Sequence, residues 1–342
     1  MLEPRAPDQS PGEPGPAIIV DQLAKDFGEV RAVRGISFEV AAGETFGFLG
    51  PNGAGKSTTI SMLCTLLTPT GGSARVAGAD VVSERAVVRS RIGLVFQDTT
   101  IDDYLTAEEN LRFHAELYGV PRSMMTVRTQ VVLEMVGLWG RRGDKVGTFS
   151  GGMRRRLEIA RGLLHSPRVL FLDEPTIGLD PQTRSHIWEY VRSLRESQEI
   201  TIFVTTHYMD EAENCDRIAI IDNGTIVALD TPEALKRAVG RDRVEISVGD
   251  PDAAIVELGS RWGLEAIVSE GSVAFFVEAG EQFVPRLFAE LAQPIRSVRV
   301  ARPTLDDVFM ANTGRTIRDA EASAGDHLRT NPFVRAMAAR RR

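Results

Sequence analysis

The chain has 342 residues, 43% of them hydrophobic, enough for globular cores arranged as two domains or as one domain with an appendage. Its 40 Lys and Arg against 47 Asp and Glu leave a formal charge of −7, which argues against the basic footprint of a nucleic-acid binder. Two cysteines, Cys64 and Cys215, exclude a disulfide framework and fit a reducing cytoplasm.

Residues 1–16 are rich in proline and acids and lack the apolar centre of a signal peptide, so they read as a disordered leader. No stretch approaches the roughly 20 apolar residues of a membrane helix. A soluble chain is expected, reaching a membrane only through a partner. From Ile18 the pattern is strand-like, with an Ile18-Ile19-Val20 run and alternation over 36–40. Residues 45–49 read as a short buried strand and 57–67 as a helix with Ile60, Leu63 and Leu67 on one face. Residues 91–97 read as another buried strand ending on a polar side chain. The region 106–164 is mostly helical in pattern, broken at Gly119-Val120-Pro121, at 137–143 and at Ser150-Gly151-Gly152. Apolar strands over 168–172 and 201–205 flank a crossover helix marked by Ile187, Val191 and Leu194. Asn223-Gly224 then turns a hairpin. Strands alternating with helices imply a largely parallel sheet covered on both faces.

Beyond Gly240 the rhythm changes to strand, helix, two strands around Glu270-Gly271, helix and strand, ending near 302. That βαββαβ order predicts a small ferredoxin-like α+β domain. A short helix over 303–313 follows, and a polar tail ends in Arg340-Arg341-Arg342. The expected division is a leader at 1–16, a first domain at 17–240, an accessory domain at 241–315 and an Arg-rich tail at 316–342.

Gly50-Pro51-Asn52-Gly53-Ala54-Gly55-Lys56-Ser57-Thr58 fits G-x-x-x-x-G-K-[ST] between a strand and a helix, the setting a phosphate-cradling loop requires. The glycines let backbone N–H groups turn toward a ligand, and the helix N-terminus adds positive potential. Lys56 can reach the β- and γ-phosphates and Ser57 can ligate Mg²⁺, so a nucleoside triphosphate is the expected ligand. Residues 169–172 deliver Asp173-Glu174 to the sheet edge where ligands of open α/β sheets bind. Asp173 is placed to hold Mg²⁺ and Glu174 to accept a proton from the attacking water. His207 ends the neighbouring strand, where it suits a γ-phosphate contact, and Gln97 ends another, where it can ligate Mg²⁺ and orient water. Ser150-Gly151-Gly152 opens a capped helix, a second N-terminus fit for phosphate. One mononucleotide does not need two cradles in one chain.

In this order the motifs resemble those of the ATP-binding subunits of ABC transporters, over about 18–238. The resemblance implies a P-loop NTPase fold of the ABC ATPase type, with a mostly parallel sheet, an N-terminal antiparallel part and a helical subdomain at about 98–165. It further implies that Phe27 stacks on adenine and that Ser150, Gly151 and Gly152 form the signature motif closing over ATP held by a second copy. Gly178-Leu179-Asp180 falls in register too, and Asp180 joins the nucleotide-binding set. Two departures stand out: Phe27 replaces the commoner Tyr, keeping a stacking face, and Met153 stands where many members have Gln. The run Ser150-Gly151-Gly152-Met153-Arg154-Arg155-Arg156, with Pro303 to Phe309, is similar to daunorubicin-resistance-type (DrrA-like) exporters.

The resemblance implies Mg²⁺-dependent ATP hydrolysis in a head-to-tail pair, with Glu174, His207, Gln97 and Lys56 as the catalytic set. A separate membrane permease would dock on the region between Gln97 and Ser150, with the chain peripheral to the cytoplasmic face of the cell membrane. The expected cargo is a hydrophobic drug, antibiotic or lipid, and no nucleic acid is expected. Two other readings are a soluble ABC-type ATPase acting on ribosomes or DNA, and a non-hydrolysing regulatory subunit. One motif set without sustained heptads disfavours the first, and Glu174 with His207 disfavours the second.

Overall fold

The structure, a computed structural model, describes residues 15–198, 200–269 and 272–313. The expected leader, save residues 15 and 16, the Arg-rich tail and the Glu270-Gly271 turn lie outside the described residues. The described chain forms two compact units that divide between Leu229 and Asp230.

In the first unit, β1 (Ile18–Phe27) and β2 (Val30–Val40) pair antiparallel from Ile18↔Val40 to Phe27↔Val30. Strand β3 (Thr45–Leu49) leads into α1 (Lys56–Leu63). This helix is shorter than the expected 57–67: Cys64 ends it, and Thr65 turns to φ +65°. Next come β4 (Gly71–Val76), β5 (Ala79–Asp80), α2 (Arg85–Arg91) and β6 (Ile92–Val95). β4 and β5 extend the first sheet in the order β2-β1-β4-β5. Two helices, α3 (Ala107–Leu117) and α4 (Arg122–Met135), and then α5 (Gly151–Leu163) make the helical region. A Thr106–Glu109 capping box starts α3, and Gly119-Val120-Pro121 separates it from α4.

The remaining elements are β7 (Val169–Asp173), α6 (Pro181–Gln198), β8 (Thr201–Thr206), α7 (Met209–Ala212), β9 (Arg217–Asp222) and β10 (Thr225–Asp230). They complete a second sheet in the order β10-β9-β3-β8-β7-β6, in which β9, β3, β8, β7 and β6 run parallel. β7 and β8 are buried along their whole length, as a sheet covered on both faces requires. Phe38 of the first sheet stacks on Phe46 of the second at 5.4 Å, and Phe203 packs 5.6 Å from Phe46. These rings lock the two sheets into one core. Because β3, β6, β7 and β8 run parallel, their C-terminal ends share one edge, and the candidate residues follow those ends.

The second unit contains α8 (Pro232–Val239), β11 (Asp242–Ser247), α9 (Pro251–Trp262), β12 (Ala266–Ser269), β13 (Ser272–Val277), α10 (Gly280–Glu290), β14 (Ser297–Ala301) and α11 (Leu305–Thr313). Its sheet runs β12-β13-β11-β14 with antiparallel neighbours, the ferredoxin-like arrangement. Val244, Ile246, Val273 and Phe275 form its core with Leu258 and Leu287 of the helices. The division precedes the expected boundary at 240/241 because α8, which buries its Leu235, packs on α11 within the second unit. Among the described residues, no helix is long and apolar enough to cross a membrane.

Candidate functional site

The loop after β3 turns tightly enough that its backbone must approach neighbouring chain. Gly55 has φ +111°, and a Cβ there would lie 2.7 Å from the Ala32 carbonyl oxygen. Only glycine meets both demands. Gly55 precedes α1 without a side-chain cap, and no acidic residue occupies the first turn, so the helix N-terminus keeps its positive potential. Beside it lies a cavity of about 150 Å³ lined by Pro51, Asn52, Gly53, Gly55, Lys56, Ser57 and Thr58, together with Ala32, Gln97 and Glu174. The structure thus brings Gln97, from beyond the end of β6, to the loop.

Lys56 is buried, and its Nζ donates to the carbonyls of Gly50 at 2.7 Å and Pro51 at 3.2 Å. The same ammonium pairs with Glu174 Oε1 at 3.1 Å. On the other side His207 Nδ1 lies 2.9 Å from Glu174 Oε2. Burial pushes the Glu174 carboxyl up, but the His207 hydrogen bond and the Lys56 charge outweigh it and hold it below the ordinary glutamate value. Asp173 moves the other way: burial raises it, Thr205 offsets part of that, and the Glu174 charge adds to it. The two neighbouring carboxyls are thereby set apart, with Glu174 kept ionised as a base must be. Glu174 also holds φ +46°, an uncommon backbone state for a non-glycine residue and one that collects at active sites.

Ser57 Oγ lies 3.4 Å from Asp173 Oδ1, so two hard oxygens converge at the loop. Among the described residues, no group of three or more His, Cys, Asp or Glu side chains could hold a metal by itself. Magnesium suits such a place, since it takes one or two protein oxygens and fills its shell with water and substrate phosphate.

Two residues escaped the sequence reading. Thr205 Oγ1 donates to Asp173 Oδ1 at 2.5 Å and accepts from the Glu174 amide at 3.1 Å. Buried Arg155 gives its Nη2 to the carbonyls of Asp173 at 3.1 Å and Glu174 at 3.2 Å, and its Nη1 to Phe96 O at 2.5 Å. Nη1 also reaches Glu158 Oε2 at 2.9 Å. The i,i+3 Arg155–Glu158 pair on the apolar face of α5 was the available signal, obscured by the exposed-looking Arg154-Arg155-Arg156 run.

The remaining candidates lie elsewhere. Phe27, half exposed at the β1–β2 hairpin, does not line the loop cavity; Lys25 Nζ sits 5.2 Å from its ring centre. Ser150 caps α5 by accepting from the Met153 amide at 3.3 Å. With Gly152 it opens on a separate cavity of about 330 Å³, so the two cradles do not meet within one chain. A Cβ on Gly152 would lie 2.4 Å from Thr183 Cγ2, so this glycine serves the packing of α5 on α6. Asp180 accepts from the Thr183 amide at 3.0 Å and from its hydroxyl at 2.6 Å, capping α6. Those bonds hold its carboxyl below the ordinary range.

A family model described as ABC transporter matches residues 33–177. The linearmycin resistance ATP-binding protein LnrL of Bacillus subtilis is 41% identical, over 87% of this chain and 99% of its own length. The daunorubicin/doxorubicin resistance ATP-binding protein DrrA of Streptomyces peucetius is 40% identical, over 90% and 95%. Among solved structures, the dimeric post-hydrolysis state of the ATP-binding cassette MJ0796, bound to ADP and Pi, superposes with a TM-score of 0.57. It is 26% identical and covers 63% of this chain and 98% of that one.

Proposed function

The chain belongs to the ATP-binding subunits of ABC transporters and is an ATPase, and we propose that it works as a pair of copies that drives an exporter of a hydrophobic drug, antibiotic or lipid. The observation that carries the catalytic assignment is Glu174, ionised and held between Lys56 and His207 at the mouth of the loop cavity. The loop amides and Lys56 bind the phosphates of ATP. In doing so Lys56 exchanges the Glu174 carboxylate for phosphate oxygens, and Glu174 is left free to take the proton of the attacking water. His207, bonded to the far oxygen of Glu174, fixes the direction of the carboxylate and faces the γ-phosphate. Gln97, which lines the same cavity, positions the water. Ser57, Gln97 and Asp173 would hold Mg²⁺, which supplies charge neutralisation at the β- and γ-phosphate oxygens.

Ser150 and Gly152 line a cavity separate from the one at the chain's own loop, which supports a role of Ser150, Gly151 and Gly152 on the nucleotide of a second copy. Phe27 and Asp180, which are not among the residues lining the loop cavity, join the nucleotide, Phe27 by stacking on its adenine. The membrane subunit docks between Gln97 and Ser150, where His114 and Tyr118 of the helical region face Leu66 and Phe96 across a groove. Phe96 adjoins Gln97, and Arg155 ties its carbonyl to those of Asp173 and Glu174, so docking and hydrolysis share a connected framework. The chain lies at the cytoplasmic face of the membrane. The second unit adjusts assembly without chemistry of its own.

Phosphate release by the purified chain tests the assignment. Release should require both ATP and Mg²⁺ and should fall about 10²- to 10⁴-fold in Glu174→Gln. Undiminished release in that variant removes Glu174 as the base.

A further inference from the structure

We propose that Glu211 is a positioning residue for hydrolysis, its carboxylate clasping the chain just after Glu174 to the chain just before His207. This rests on the catalytic assignment of Glu174 and His207 made above and names the group that keeps the two in register. Glu211 lies in α7 and is 1% exposed. Its Oε1 accepts from the hydroxyl of Thr176, two residues after Glu174. Its Oε2 accepts from Thr206 Oγ1 at 2.8 Å, one residue before His207. Both threonines are buried as completely as Glu211 itself.

The clasp begins where the sheet stops. The backbone ladder between β7 and β8 ends at Asp173↔Thr205, with one further bond from the Glu174 amide to the Thr205 carbonyl at 3.2 Å. Glu174 and His207 both follow that point, so strand pairing does not fix them against each other. Thr206 Oγ1 also accepts from the Tyr208 amide at 2.9 Å, which brackets His207 and directs the hydroxyl proton to Glu211. A second route reaches the same histidine. The Tyr208 ring lies 4.0 Å from the His207 ring, and the Arg184 guanidinium lies 4.1 Å over Tyr208. Arg184 Nε, which makes no hydrogen bond, sits 3.8 Å from Glu211 Oε1.

An apolar side chain of similar volume would fill this space without the desolvation that a carboxylate suffers. Burial raises the Glu211 carboxyl above the ordinary glutamate value, and the Thr176 and Thr206 hydroxyls and the Arg184 charge offset only part of that. What the carboxylate supplies in return is two acceptors on one rigid group, each holding a different loop of the site. The geometry of Glu174 and His207, bonded at 2.9 Å, is thereby set from behind by a residue that does not line the loop cavity.

Steady-state ATP hydrolysis by the full chain separates positioning from packing. Thr176→Val keeps the shape of the side chain and removes its donor, and Glu211→Gln offers one acceptor in place of two. Each should lower kcat about 10- to 100-fold, the scale of a small misplacement of catalytic groups. KM for ATP should change by less than about twofold, because the clasped groups touch none of the phosphate-binding loop cavity. Thr176→Ser should hydrolyse at close to the natural rate, since it keeps the hydroxyl although it fills the site less well than valine. In a Glu174→Gln background neither Thr176→Val nor Glu211→Gln should slow the residual hydrolysis further. A Thr176→Val chain with the natural kcat overturns the proposal, as does a Thr176→Ser chain as slow as Thr176→Val. A rise in KM at unchanged kcat overturns it too. Should Glu211→Gln fail to fold, the contrast between Thr176→Val and Thr176→Ser decides alone. Undiminished hydrolysis by Glu174→Gln refutes instead the catalytic assignment beneath the proposal.

Discussion

Lys56 Nζ lies 3.1 Å from Glu174 Oε1 in a pair that is nearly sealed from solvent. The cation proposed to bind phosphate and the carboxylate proposed as base therefore neutralise one another. In the proposed mechanism ATP breaks this pair, so part of its binding free energy goes into releasing Glu174.

A consequence is that Glu174→Gln should bind ATP at least as tightly as the natural chain, since Lys56 is no longer held by a charge. Lys56→Ala should lose affinity and also stability, because it strands a buried carboxylate with His207 as its remaining partner. Removing one member of a buried pair typically costs about 3–5 kcal/mol. Nucleotide titration with a non-hydrolysable analogue, alongside thermal unfolding, checks both. Weaker binding in Glu174→Gln would contradict the exchange of partners.

Gly152 and Thr183 make a second test. Gly152→Ala places a methyl 2.4 Å from Thr183 Cγ2 and should destabilise the chain by about 1–3 kcal/mol. Thr183→Ser removes that methyl and keeps the hydroxyl that bonds Asp180. The double variant should recover most of the lost thermal midpoint; no recovery would place the clash elsewhere.

Acid should weaken the first unit through two histidines. Burial, with the Arg161 charge adding to it, pushes His114 down to about 4, and burial lowers His165. Below the unfolded value near 6.5 the unfolded chain binds more protons than the native one, so stability falls as pH drops from about 6.5 toward 4. His114→Gln should flatten this slope in urea unfolding measured across that range. An unchanged slope would show that His114 titrates alike in both states.

Truncation addresses the division of labour. A chain ending at Asp230 should still bind ATP, because every residue of the loop cavity belongs to the first unit. A chain ending at Gly240 should be less soluble, since it keeps α8 and exposes the face that α11 covers. A folded 1–230 chain that cannot bind nucleotide would contradict this boundary.

Much of the loop cavity was legible in sequence because its chemistry depends on local spacing. Lys56 and Ser57 follow fixed glycines, and Asp173 and Glu174 follow an apolar strand. Parallel pairing then brings Gln97 and His207 toward the same edge. Arg155 and Thr205 were not legible, because their partners are backbone groups of other elements and no local pattern records such contacts. Gly152 was read as a phosphate contact, whereas its immediate constraint is Thr183 on another helix. The boundary near Asp230 depends on α8 meeting α11, a contact between segments far apart in the chain. β4 and β5 were missed because Gly71, Gly72 and the hydroxyl side chains around them weaken strand patterning, although pairing with β1 fixes β4.

Sedimentation of Glu174→Gln with Mg-ATP tests whether two copies share the nucleotides. ATP should shift the chain from monomer to dimer at tens of micromolar protein, as a ligand favouring the paired state must. ADP should not do so, because it lacks the γ-phosphate that the Ser150–Gly152 cradle is proposed to reach. Ser150→Arg should abolish the shift while leaving monomer affinity for ATP intact. A Glu174→Gln chain that stays monomeric with Mg-ATP under these conditions would contradict the pairing.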